Sequence, residues 1–143
     1  MPPDRKAPSP DFRVDKNVIL WNGTNVQAQM KFQMTDTIQT MAFNPITNNL
    51  FVGTNKDIGL FKPDVQGKDQ LKKEKVKDAV KTCEWSPDGI YIAFGNEKGH
   101  VMLNDSNMAP KKKIVKLAPV TCLSWSPLTM DHPDLLLVVA CRD

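Results

Sequence analysis

A short motif recurs three times along the chain, at intervals of about forty residues. It reads CEWSPDG from Cys83 to Gly89, SWSP from Ser124 to Pro127, and in a looser form AFNP from Ala42 to Pro45. The rings at its centre fall in register: Phe43, Trp85 and Trp125. Self-similarity at such a period indicates a repeat architecture, in which each unit buries its apolar face against its neighbours.

Each copy of the motif predicts a β-strand that ends abruptly at a turn. The predicted first strands span 38–43, 80–85 and 120–125, and each begins with Ile or Val and ends with the ring. A proline follows each ring by two positions and stops the strand, because proline cannot donate to a β-ladder. We therefore expect the repeat to be defined by these residues: Phe43, Pro45, Trp85, Pro87, Asp88, Gly89, Trp125 and Pro127.

Three further sets of strands complete the unit. Second strands are predicted at 50–54, 90–95 and 135–141, third strands at 18–21, 58–61 and 101–104, and fourth strands at about 26–32, 71–76 and 113–117. Asn22-Gly23 predicts a tight hairpin in the first unit. Gly53 and Gly95 fit a tight exit or a close neighbouring backbone. No segment has sustained helical spacing.

The sequence therefore predicts an all-β chain of about three four-stranded blade equivalents. Their order is third and fourth strands, two complete units, then first and second strands. Four-stranded units of this period are typical of WD-type β-propellers, which close with about 4 to 8 blades. The 143 residues are too few to close such a ring.

Composition favours one globular domain, at 41% hydrophobic and 24% charged residues. Residues 1–14 are Pro-rich, and we interpret them as a flexible tail or as the product of an imperfect gene model, which leaves 15–143 as the partial propeller. The longest apolar run, 135–141, is far shorter than the ~20 residues that span a bilayer, so we expect no membrane insertion. Three cysteines without a CxxC pair predict buried thiols in an intracellular protein: Cys83, Cys122 and Cys141.

Charge gives little reason to expect a nucleic-acid partner, because the net charge is only +3. Lysines cluster at 72–77 and at 111–113, and acidic residues interleave the first cluster. Solvated outer strands are the favoured interpretation. A phosphate-binding face stays open as the alternative, and it predicts binding that weakens steeply with salt.

Candidates for catalysis and cofactor binding are few. The only histidines, His100 and His132, fall in predicted turns, and no Ser or Cys triad can be assembled. His132 with Asp131 or Asp134 is the one enzyme-class alternative. His100 with Asp105 is a weak metal pair, and no phosphate-binding glycine motif is present, so we expect no cofactor. Met41 and Met102 fit the core, and three methionines near loops stay open as binding residues: Met34, Met108 and Met130.

The repeat resembles WD-repeat proteins in a degenerate form. The Trp-Asp pair that closes the third strand in that family is replaced by Trp21-Asn22, Phe61-Lys62 and Leu103-Asn104. The Gly-His pair before the first strand is replaced by Thr35-Asp36 and Lys77-Asp78. We therefore expect the buried His-to-Asp network that such pairs support to be missing.

Within that family, residues 15–143 resemble the early blades of the first propeller in the WD-repeat core subunits of intraflagellar transport complex A. The residues that carry the resemblance are Asp36, Ile38, Gln39, Asn44, Pro45, Ile46, Thr47, Asp57, Gly59, Leu60, Pro63, Cys83, Trp85, Asp88, Gly89, Ala93 and Gly95.

This resemblance implies a non-catalytic scaffold in retrograde ciliary transport and cilium assembly. It would bind other complex A subunits through blade edges and loops, and it would reside at the cilium and basal body and in the cytoplasm. A WD-repeat scaffold of another pathway, of the vesicle-coat or dynein intermediate chain type, stays open as the alternative.

Overall fold

The computed structural model describes residues 16–24, 27–63, 71–115 and 118–142, and within these ranges the chain is built from strands without a helix. Twelve strands are described: β1 (Asn17–Asn22), β2 (Gln27–Gln33), β3 (Ile38–Phe43), β4 (Leu50–Thr54), β5 (Asp57–Phe61), β6 (Leu71–Lys75), β7 (Val80–Trp85), β8 (Tyr91–Asn96), β9 (His100–Asp105), β10 (Pro110–Val115), β11 (Val120–Trp125) and β12 (Leu137–Cys141).

These strands form four antiparallel sheets in chain order. Two are four-stranded, β3-β4-β5-β6 and β7-β8-β9-β10, and they are flanked by the two-stranded sheets β1-β2 and β11-β12. The strands of each sheet follow one another in sequence, and no described sheet closes into a barrel. The predicted fold class is thus confirmed: an all-β chain of four-stranded units that do not complete a ring.

Some boundaries differ from those predicted. β10 begins at Pro110 instead of 113, because an exposed outer strand of lysines lacks the apolar alternation that marks a strand in sequence. β1 ends at Asn22 and β2 begins at Gln27, each one residue later than predicted, and these two residues lie opposite one another. The predicted tail, 1–14, lies outside the described residues.

The core lies between neighbouring sheets. Between the two four-stranded sheets, Phe51 and Phe94 bring their ring centroids to 5.2 Å, with Val80, Trp85 and Ile92 buried around them. A second cluster packs Val18 and Met34 against β4 and β5, and a third lies between β8–β9 and β11. Burial of a large apolar side chain contributes about 1.5 to 3 kcal/mol, so the sheets are stabilised chiefly by packing on one another.

Two glycines permit the close approach of adjacent sheets. A Cβ at Gly53 would lie 2.7 Å from Cγ1 of Val80, and one at Gly95 would lie 2.6 Å from Cγ1 of Val120. Both distances are far below van der Waals contact. Glycine is therefore required at both positions by the valine side chain that begins the next unit. The sequence suggested a tight exit or a close neighbouring backbone instead.

We predict that Gly95→Ala lowers the free energy of unfolding by about 1 to 3 kcal/mol, the usual cost of overpacking a core, as measured by urea denaturation. Val120→Ala in the same chain should recover part of this loss, because it removes the methyl groups that the new Cβ meets.

Gly23→Ala is the matched control, since no atom lies within 4 Å of a Cβ at that position. A loss at Gly23 as large as the loss at Gly95 would contradict the packing explanation.

Candidate protein-interaction surface

The same hydrogen bond links the unit that begins with β7 to the unit that begins with β3, and the unit that begins with β11 to the unit that begins with β7. Nε1 of Trp85 donates to the backbone carbonyl of Ala42 at 2.9 Å, and Nε1 of Trp125 donates to that of Glu84 at 3.0 Å. Trp85 is only 4% exposed. A buried indole N–H needs such an acceptor, so each tryptophan fixes its strand beside the preceding first strand.

The first strands of successive units run side by side in the same direction. Thr40 contacts Cys83, with Oγ1 and Sγ 3.3 Å apart, and Trp85 contacts Ala42 further along both strands. At the other junction, a Glu84 carboxylate oxygen accepts from the backbone N–H of Trp125 at 2.7 Å. Because β3, β7 and β11 are aligned in this way, the turns that follow them lie at one end of the molecule.

Phe43 has the repeat position of the two tryptophans but not their environment. It is 49% exposed, because no described first strand lies on that side of β3, and phenylalanine has no N–H to donate. Met41, predicted as a core residue, is also half exposed, for the same reason. Met102 is partly buried against the central cluster.

The turn after β3 is built around Asn44, which the sequence analysis noted only as part of a family motif. Its buried side chain accepts from the backbone N–H groups of Ile46 and Thr47 at 2.8 and 3.1 Å. Its Nδ2 donates to the carbonyl of Gly89 in the next unit at 2.9 Å. Asn44 thus shapes its own turn and joins it to the following one.

The turn after β7 follows the Ser-Pro-Asp-Gly sequence. Oδ1 of Asp88 accepts from the Ser86 hydroxyl at 2.6 Å and from the backbone N–H of Ile90 at 3.1 Å. Gly89 has φ of 73°, a conformation that favours glycine. Pro87 is partly buried, whereas Pro45 and Pro127 are exposed.

Apolar side chains are exposed on these turns. Ile46 is 67% exposed, and Ile90 lies beside Gly89, whose backbone approaches Ile46. Leu128 and Met130 are exposed in the longer connection after β11. We call these four residues the turn face. Exposed apolar residues gathered at one end of a scaffold are typical of a protein-binding surface.

At the opposite end of β4, a buried carboxylate organises the turn into β5. Asp57 accepts hydrogen bonds from the hydroxyls of Thr35 and Thr54, and its backbone N–H donates to Thr54 Oγ1 at 2.9 Å. This network joins threonine hydroxyls to a carboxylate, so it differs from the His-to-Asp network of WD repeats that the sequence argued against. In the second unit, Asn96 has the place that Thr54 has in the first. Its side-chain oxygen accepts from the backbone N–H groups of Lys98 and His100.

The histidine candidates are not assembled into reactive sites in the described residues. His100 and Asp105 lie at opposite ends of β9, so they cannot share a metal ion. Asp131, His132 and Asp134 line a shallow cavity of about 320 Å³ together with Ser126. The Ser126 hydroxyl is bonded to the backbone of 134 and 136 instead of to an imidazole. Among the residues described, no cluster of three potential metal ligands occurs.

Two partly buried carboxylates stabilise turns. A backbone hydrogen bond from Thr37 keeps the pKa of Asp36 below its usual value. Hydrogen bonds from the backbone of Ala109 and Asn107, aided by Lys111, do the same for the pKa of Asp105. Because both pKa values are lowered on folding, this stabilisation is present above the unfolded value of 3.8 and is lost as the pH falls through the folded values.

The lysine clusters lie on outermost strands. Lys72, Lys73 and Lys75 are exposed on β6, and 111–113 are exposed on β10. Lys72 donates to the carbonyl of Asn107 at 3.1 Å, and Lys111 lies 3.7 Å from a carboxylate oxygen of Asp105. Charged edge strands of this kind discourage pairing with other chains.

The thiols are less buried than predicted. Cys122 is exposed, and Cys83 and Cys141 are intermediate. Cys122 lies on the side of β11 on which no described sheet packs. Of the three methionines that the sequence left as possible binding residues, Met34 and Met108 are buried and Met130 is exposed.

Sheets of four antiparallel strands, packed through aligned first strands, define the chain as a partial WD-type β-propeller. Within the part of the chain that is described, no helix is long and apolar enough to cross a membrane. No family model matches the chain.

In sequence, the chain resembles intraflagellar transport protein 122 homologues. It is 33% identical to the Xenopus tropicalis protein, 30% to that of Mus musculus and 31% to that of Danio rerio, each over 128 residues and 87% of this chain. The chain spans about a tenth of the length of these curated relatives.

We predict that Cys83 resists alkylation in the folded protein. Burial raises the pKa of its thiol to about 12, so at pH 8 it reacts much more slowly with iodoacetamide than the exposed Cys122. Peptide mapping by mass spectrometry measures both rates. Equal rates in urea are the control, and equal rates in the folded protein would contradict the prediction.

Stability should also fall as the pH rises above 9.0, the ordinary pKa of the thiol, towards about 12. In that range the unfolded chain releases the Cys83 proton and the folded chain retains it, so deprotonation favours unfolding. Cys83→Ala should reduce this dependence in urea denaturation measured at several pH values.

We also predict that Trp85→Phe lowers the free energy of unfolding by about 2 to 3 kcal/mol, since it removes a hydrogen bond and leaves a cavity. Trp125→Phe makes the same chemical change at a more exposed ring, so the free energy of unfolding should fall by less than it does for Trp85→Phe. A larger loss at Trp125 would show that burial of the indole does not set the strength of these junctions.

Proposed function

We propose that the chain is a non-catalytic protein-interaction scaffold that acts in intraflagellar transport. One observation carries this proposal: similarity to intraflagellar transport protein 122 homologues extends over 87% of the chain. More specifically, residues 15–143 form part of the first propeller of a complex A subunit, which works in retrograde ciliary transport and cilium assembly.

The geometry is consistent with binding without turnover. The repeat residues act through packing and backbone hydrogen bonds, as Trp85 does at Ala42 and Asn44 does at Gly89. The imidazole rings of His100 and His132 are not bonded to a nucleophile in the described residues; His132 donates only its backbone N–H, to the Thr129 hydroxyl at 3.0 Å. The turn face, by contrast, offers exposed apolar side chains on rigid turns, which suits recognition of another protein.

The partners that we propose are other complex A subunits, bound through the turn face and the blade edges. The corresponding locations are the cilium and basal body, together with the cytoplasm. We propose neither nucleic-acid binding nor membrane insertion. Glu74 lies among the lysines of β6, and Lys72 and Lys111 are engaged by a neighbouring turn, which favours solvated edges over a phosphate-binding face.

The turn face is tested by the double variant Ile46→Glu with Ile90→Glu. Purified with an affinity tag from ciliated cells, the variant should recover at least ten-fold less of the complex A subunits than the unchanged chain, because two carboxylates would have to be desolvated at the interface.

Val115→Glu is the comparison that separates the turn face from the blade edge. It makes the same apolar-to-acidic change at a side chain of similar exposure, 60%, but on the outer strand β10. Equal recovery by the double variant and the control would contradict the assignment of the turn face. Capture of vesicle-coat or dynein subunits in place of complex A would instead support the alternative pathway.

A further inference from the structure

The outer edge of the second complete sheet is open. β10 is the last strand of this sheet and, among the described strands, it is bonded only to β9. β7, at the other edge, contacts both β3 and β11. In the first complete sheet, β6 has the same outermost position as β10. An open outer edge is therefore a property of the four-stranded unit and recurs with it.

The β10 edge carries uncompensated positive charge. Lys111, Lys112 and Lys113 follow one another on this strand, and all three are exposed. Lys111 lies 3.7 Å from a carboxylate oxygen of Asp105. In the described ranges, no acidic side chain forms an ion pair with Lys112 or Lys113. Two neighbouring cations on the edge are thus available to an outside carboxylate.

The two faces of β10 have different surroundings. Ile114 lies opposite Val101, and both belong to the third cluster. Lys113 lies opposite Met102, which packs on the central cluster, so Lys113 and Val115 project towards the first complete sheet. Val115 is 60% exposed there. An apolar side chain therefore stands on the same face as one of the unpaired lysines.

We propose that β10 accepts an extended acidic segment of a partner protein as a fifth strand of its sheet. The backbone of that segment pairs with the outward-directed N–H and C=O groups of β10, and its carboxylates lie beside Lys112 and Lys113. This inference deepens one part of the proposed function, binding through blade edges, and rests on it.

The lysines select which strand is admitted. A basic strand, such as β6 or β10 of a second copy, would place like charges opposite one another and destabilise the pair. An acidic strand removes this repulsion and gains opposite-charge pairs, each of about 0.2 to 1 kcal/mol. The charges that discourage general edge pairing therefore favour an acidic partner, because specificity is a difference between two affinities.

The edge also suits a peptide better than a nucleic acid. An open β-edge offers backbone donors and acceptors along its length. Phosphate oxygens accept hydrogen bonds from the N–H groups but donate none to the carbonyls, whereas a peptide strand does both. The observations thus favour an acidic protein segment over a polyanionic nucleic acid.

The outer strand of the first complete sheet provides an internal comparison. On β6, Glu74 stands between Lys73 and Lys75. Lys72 is already engaged, since it donates to the carbonyl of Asn107 at 3.1 Å. An acidic strand added to β6 would meet a carboxylate among the lysines, so we expect it to bind β10 in preference.

A short synthetic peptide of repeating Thr-Glu-Glu tests the proposal with the 143-residue chain. This repeat places carboxylates on both faces of an added strand. Hydrogen exchange measured by mass spectrometry should slow at 110–115 when the peptide binds and stay unchanged at 71–75, because an added strand protects outward-directed amides. Exchange at 110–115 that is unaffected by saturating peptide would overturn the proposal.

A peptide with every backbone nitrogen methylated separates strand addition from simple charge attraction. It keeps the carboxylates but cannot donate backbone hydrogen bonds, so its affinity should be about ten-fold lower. Equal affinity of the two peptides would overturn strand addition. An RNA homopolymer that protects 110–115 as well as the peptide does would overturn the choice of a protein partner.

Lys112→Glu with Lys113→Glu tests the position. The variant should bind the unmethylated peptide about ten-fold more weakly. Lys73→Glu with Lys75→Glu is the matched control, since it makes the same change of net charge at exposed residues of β6 and should cause a much smaller loss. Equal losses in the two variants would overturn the assignment to β10. Urea denaturation of both variants verifies that they are folded.

The peptide assay contains no ciliary protein, so its outcome is separate from that of the proposed function. If the peptide fails to bind, the acidic fifth strand is wrong and the role in intraflagellar transport is unaffected. Failure of that role would appear instead as the absence of complex A subunits from the affinity purification of the unchanged chain.

Discussion

The hydrogen bond from an indole N–H to the backbone carbonyl of the preceding first strand is the interaction on which the rest of the structure depends. Trp85 makes it with Ala42, and Trp125 makes it with Glu84. Each bond holds two first strands side by side and in the same direction. That alignment brings the apolar faces of neighbouring sheets into contact and places their turns at one end.

The glycines of the second strands make this alignment possible. Gly53 and Gly95 admit the valines that begin the next unit, at distances where any side chain would clash. Tryptophan and glycine therefore act together: the tryptophan donates the hydrogen bond to the preceding unit, and the glycine leaves space for the valine of the next unit. At Phe43, beside which no first strand is described, neither the indole bond nor this packing is present, and the ring is half exposed.

Much of the fold could be predicted from the sequence because the repeat is carried by large residues and turn formers. The rings and prolines mark first strands, and short runs rich in apolar residues mark buried second and third strands. β10 was misplaced because its lysines are solvated and impose no periodicity. The exposure of Phe43 and Met41 was not predictable from register alone, since it depends on which strands are present beside β3.

Less of the candidate site than of the fold could be predicted from the sequence. Asn44 was noted only as part of a family motif, yet it joins two turns through its amide. Asp57 lies three residues after Thr54 but 22 residues after Thr35, so no local pattern reports the whole network. Polar groups that meet only after packing give no short-range signal, whereas the turns that carry Ile46 and Ile90 follow directly from Pro, Asn and Gly.

The central claim is that tryptophan side chains bind the backbone of the preceding unit. Hydrogen exchange of the indole N–H groups, followed by NMR, tests it most directly. The account predicts slow exchange at Trp85 and Trp125, with nuclear Overhauser contacts to Ala42 and Glu84 respectively. Exchange as fast as in the unfolded chain, without those contacts, would contradict it.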